Sequence, residues 1–110
     1  MNKLGVVRLT GKSGTKYKFG AYPLDTVFKK GMAGVYVVTK RVRKGSGAVK
    51  HREIQLGQTG DLGLPLPGAA GSFVTAGANC ICVHGEKDEA VRQGIQQDLT
   101  GRHMAAGNAS

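Results

Sequence analysis

The chain predicts an α+β fold: a small, mainly antiparallel sheet of hairpins flanked by one or two helices. Three observations carry that expectation. Two stretches in the first half read as strand, turn, strand; "GVYVVTKRV" at 34–42 is dense in β-branched residues; and Val91, Ile95 and Leu99 repeat every four residues. At 110 residues the chain fits one compact domain, assigned to 1–100, with the small, polar 101–110 as a flexible tail.

The elements follow in order. In "GVVRLTGKSGTKYKFGAY", 5–22, Val6 to Leu9 lead into a Gly11–Gly14 turn, and Tyr17, Phe19 and Ala21 then alternate with lysines, so a first hairpin is expected. "YPLDTVFKKGMAG", 22–34, is a connector. The β-branched run at 34–42, the glycine-bearing basic loop 43–50 and the returning "REIQL", 52–56, make a second hairpin with a long, positively charged tip. Gly57-Gln58-Thr59-Gly60 is turn chemistry with Thr59 or Asp61 as a helix cap, but Pro65 and Pro67 deny a helix beyond it. "AAGSFVTAG" allows a short helix around Phe73 and Val74. "NCICVH", 79–84, is a strand with Ile81 and Val83 on one face. From Glu86 to Leu99 the pattern is helical: Glu86, Asp88 and Glu89 suit the dipole of the first turn, and Val91, Ile95 and Leu99 form the apolar stripe with Ala90. This order belongs to helices layered on a short sheet.

Charge is unevenly placed. Residues 1–52 hold 13 Lys or Arg against one acid, Asp25, whereas 53–110 hold three against six, within a net +9. Such a basic half attracts polyphosphate by counterion release, so DNA or RNA is the expected partner. Six cations, Lys40, Arg41, Arg43, Lys44, Lys50 and Arg52, fall on the second hairpin. Strand alternation sends Lys40 and Arg41 to opposite faces, leaving the tip to gather Arg43, Lys44 and Lys50. With no long apolar run and no signal-peptide pattern, no membrane association and a cytoplasmic location are expected.

Other motifs carry less. "GKS" at 11–13 is not a phosphate loop, because Val6 stands where the first glycine is needed and a hairpin replaces the strand-to-helix step. Cys80, Cys82 and His84 share a strand face, but three ligands do not close a structural zinc site and cysteine is commonly buried, so they are read as core and no metal is assigned. No nucleophile elbow surrounds any serine. His51 and His103 are read as surface residues.

The segments "AGVYVV", "LGQTGDL", "GANCICVH" and "EAVRQGIQQDL", in that order, resemble the GIY-YIG endonuclease superfamily in its short single-domain form, over roughly residues 11–100. "GVY" at 34–36 stands for the first signature and "QLGQT" at 55–59 for the second. The resemblance implies a metal-dependent phosphodiesterase scaffold with two tyrosines positioning water, an arginine on the phosphate and a glutamate holding one divalent ion. Tyr36 matches the first tyrosine. Gln55 stands at the second, Pro65 near the arginine and Gln96 near the glutamate, and no arginine lies between Arg52 and Arg92.

A neutral amide is a poor Mg²⁺ ligand, and losing the metal and the guanidinium removes the support for phosphorane charge. The resemblance therefore implies a catalytically degenerate domain that binds DNA or RNA and needs no cofactor. Two alternatives stand beside it. One is an active nuclease using Mg or Mn through a relocated ligand such as Glu86 or Glu89, with a lysine replacing the arginine. The other is a protein-interaction module whose basic hairpin meets an acidic partner.

Overall fold

A computed structural model of the chain describes residues 3–64 and 72–107. Five strands, β1 (Gly5–Thr10), β2 (Lys16–Pro23), β3 (Gly34–Arg43), β4 (Val49–Thr59) and β5 (Cys80–Gly85), form one sheet in the order β1-β2-β5-β3-β4, every neighbouring pair antiparallel. A four-residue helix, α1 (Ser72–Thr75), precedes β5, and α2 (Glu89–Gly107) ends the fold. The α+β architecture predicted from the sequence is thus the observed one. Among the described residues no helix is long and apolar enough to cross a membrane.

Both hairpins close through the same loop chemistry. Gly14 N–H donates to the Gly11 carbonyl at 3.0 Å and Gly47 N–H to that of Lys44 at 2.8 Å. Gly14 (φ 88°) and Gly47 (φ 87°) then take the left-handed conformation that only glycine adopts cheaply. The tip of the second hairpin is therefore tight: its strands reach Arg43 and Val49, leaving 44–48 as the loop.

β3 is buried on both faces from Gly34 to Thr39, which its unbroken apolar run encodes. Val35 and Val37 face one core with Phe19, Ala21, Leu56, Cys80, Cys82, Ile95 and Leu99. Tyr36 and Val38 face the other with Phe28, Leu62, Phe73, Ile81 and Val83. α2 covers the first face; the connector after β2, the segment after β4 and α1 cover the second.

Three local expectations are corrected. The strand signal at 52–56 extends through Thr59, because Gly57, Gln58 and Thr59 pair with Tyr36, Val35 and Gly34 rather than turning. Asp61 caps no helix; its carboxylate accepts from Gly31 N–H at 2.9 Å and Gly63 N–H at 2.8 Å. α2 runs on to Gly107 and is capped by Asp88, whose Oδ1 accepts from Ala90 N–H at 2.9 Å and Val91 N–H at 3.2 Å. Its inward face is also rotated. Val91 is 44% exposed, while Arg92 is buried and donates to Gln58 Oε1 at 2.8 Å and to the Lys87 carbonyl at 2.7 Å.

One irregularity governs the far end of the sheet. Val38 pairs with Gln55 but Thr39 pairs with Glu53, so Ile54 is an extra residue in β4, a β-bulge. Because side chains alternate with period two, that insertion reverses the facing of every β4 residue before it. Arg52 comes opposite Lys40, and His51 opposite Arg41.

Candidate functional site

The bulge sorts the charged hairpin into two faces. On the Tyr36 side, Lys40, Lys44, Lys50 and Arg52 line a groove of about 270 Å³ with Val42 among them. Arg52 is anchored there by donating from Nη2 to the Ala76 carbonyl at 2.8 Å. Arg41 lies on the opposite side, with His51, in a separate cleft. Arg43 is exposed and pairs with Val49 in the strand register. The grouping expected at the tip, Arg43 with Lys44 and Lys50, is therefore not the one formed: Lys40 and Arg52 join Lys44 and Lys50 instead. Four cations around one groove hold a concentrated positive potential, suited to a chain of phosphates.

Of the residues placed by the nuclease resemblance, Tyr36 and Gln55 meet, whereas Gln96 lies apart from them. Tyr36 is 3% exposed, its hydroxyl accepting from Gln55 Nε2 at 3.4 Å. Its ring lies over Gly57, where a β-carbon would fall 2.5 Å from the hydroxyl, so glycine is required there. Gln96 belongs to α2, whose Ile95 and Leu99 pack on Val35 and Val37, the sheet face away from Tyr36. Pro65 lies outside the described residues.

The Cys80, Cys82, His84 set is also rearranged. His84 Nδ1 is bonded to the Lys18 carbonyl at 2.8 Å, and its ring meets Tyr17 and Phe19. His51 takes its place: one ligand atom each from His51, Cys80 and Cys82 all lie within 4.8 Å of one another. His51 is half-buried rather than a free surface residue, with Nδ1 bonded to Thr39 Oγ1 at 2.9 Å. Burial, then the charge of Arg41, holds its imidazole below the usual range and favours the neutral ring. The hydrogen bond between the thiols, reinforced by Thr39, draws Cys80 down. The same bond and burial push Cys82 up.

A third polar centre ties α2 to the first hairpin. Asp98 accepts from Ser13 Oγ at 2.6 Å, Tyr17 Oη at 2.7 Å and Ser13 N–H at 2.8 Å, and its carbonyl accepts from Lys12 N–H at 2.8 Å. The Ser13 and Tyr17 hydroxyls hold the Asp98 carboxyl below its ordinary value, and that carboxylate in turn raises Tyr17. The "GKS" stretch is thus a helix-docking turn.

The sequence marks the four cations of the groove among the six on the second hairpin, but neither their grouping nor the place of His51, since both depend on where one extra residue enters β4. Comparison with protein-family models, with curated proteins and with solved structures gives no match to this chain.

Proposed function

We propose that this domain binds the phosphodiester backbone of DNA or RNA through the groove of Lys40, Lys44, Lys50 and Arg52, on a scaffold akin to a degenerate GIY-YIG domain. The observation that carries the reading is the convergence of these four cations, from two strands and the loop that joins them, onto one groove. Binding rather than cleavage is supported by the burial of Tyr36 and by the position of Gln96 on the far side of the sheet. Contacts made only by such side chains read charge and spacing, not base sequence.

Four phosphate contacts on a duplex give a slope of log affinity against log salt of about −3.6, or roughly a 10²-fold loss between 50 and 200 mM. Fluorescence anisotropy with a short duplex and a single strand, stepped through that range, measures it. Replacing Lys50 and Arg52 together by Gln halves the slope, to about −1.8. Absence of binding at low salt, or a slope that the double substitution leaves intact, removes the proposal.

A further inference from the structure

We propose that His51, Cys80 and Cys82 form a zinc site, with a fourth, exchangeable position open to the cleft between the two edges of the sheet. Cys80 and Cys82 alternate onto one face of β5, and the bulge in β4 turns His51 onto the same face. Two thiolates and one imidazole make a ligand set suited to Zn²⁺ over the harder Mg²⁺ or Ca²⁺. In a tetrahedron with Zn–S of about 2.3 Å the sulfurs sit roughly 3.8 Å apart. Ligand atoms already within 4.8 Å need close by only about 1 Å.

Two further features fit this site and not a plain apolar core. The Thr39 hydroxyl holds the imidazole through Nδ1 and so fixes the ring beside the thiols, the orienting role that a neighbouring oxygen plays for metal-bound histidines. A cleft of about 330 Å³ has His51 in its lining, with Leu4, Val6, Val7, Arg41 and Val49, and Ala21 in its wall pairs with the buried Cys82. The ion has an entry path there, and its fourth ligand is a water next to Arg41. Binding releases the two thiol protons to solvent, so two thiolate charges balance the dication and the occupied site is neutral. A disulfide between Cys80 and Cys82 does not compete well, because residues two apart on a strand are poorly placed to bridge.

Cobalt titration of the reduced, metal-stripped protein tests the site. One Co²⁺ per chain, with thiolate-to-cobalt charge-transfer absorption and the intense visible bands of tetrahedral cobalt, is expected, and zinc displaces them. Cys80→Ser, Cys82→Ser and His51→Asn each abolish or weaken the bands, while His84→Ala leaves them unchanged. Thr39→Val lowers affinity about 10- to 100-fold. Should a buried serine prevent folding, His51→Asn and Thr39→Val carry the test, together with the rise in melting temperature that zinc gives the unsubstituted protein alone. Absence of the bands, or bands that survive His51→Asn and disappear in His84→Ala, overturns the assignment.

Discussion

Strands β3 and β4 lie side by side along their whole length, yet the two halves of their ladder differ in kind. From Gly34 to Val38, paired with Gln55 to Thr59, nearly every side chain of β3 is inside, divided between two apolar cores. From Thr39 to Arg43, paired with Val49 to Glu53, the faces carry cations on one side and the His51 cluster on the other. The boundary between them is Ile54. The first half shows how a hydrophobic pattern fixes a register, since slippage there would expose one core. Beyond it that constraint is relaxed, and one extra residue is enough to reassign which chemistry meets which face.

Inserting one residue between Val38 and Thr39, opposite Ile54, tests the boundary most severely. The ladder then runs unbroken, Lys40 and Arg52 turn toward the face of the cysteines, and Arg41 and His51 turn away from it. Cobalt binding should vanish. Amide hydrogen exchange should show protection lost at 39–43 and 49–53 but kept at 34–38; loss of protection throughout would mean the two halves are one cooperative unit.

The complementary change is Gly57→Ala. It drives a methyl into the Tyr36 ring and should cost about 1 to 3 kcal/mol of stability, measured by urea unfolding, with the salt slope of binding unaltered. A change of slope would show that the apolar half positions the cations.

The smallest effect concerns α2. Because its folded value is depressed, Asp98 contributes stability that is present above its unfolded value, about 3.9, and is lost as pH falls through the folded one. Below about pH 4 the melting temperature should therefore drop less steeply in Asp98→Asn than in the unsubstituted protein.

Much of the architecture was legible in the residues themselves. Glycines at 11, 14, 45 and 47 mark the hairpin tips, β-branched residues mark β3, and the acids at 86, 88 and 89 mark the start of α2. What stayed hidden has a physical reason in each case. A bulge at Ile54 leaves no trace, since neither Gly nor Pro stands there, and parity counted back from Leu56 puts His51 on the wrong face. The helical stripe led to Val91 rather than Arg92, because an arginine enters a core only when carbonyls await it, and those come from Gln58, Glu86 and Lys87. Position along the chain places Gln96 on the last helix but does not reveal which face of the sheet that helix covers.

The two anchorages of α2 have a mechanical consequence. Asp98 fastens it to the turn beyond one margin of the sheet, and Arg92 fastens it to Gln58 on the opposite margin. The helix is thus a chord drawn across an arc. It fixes the span of the arc, so the cleft between the β1 and β4 edges keeps its width without any strand pairing to close it.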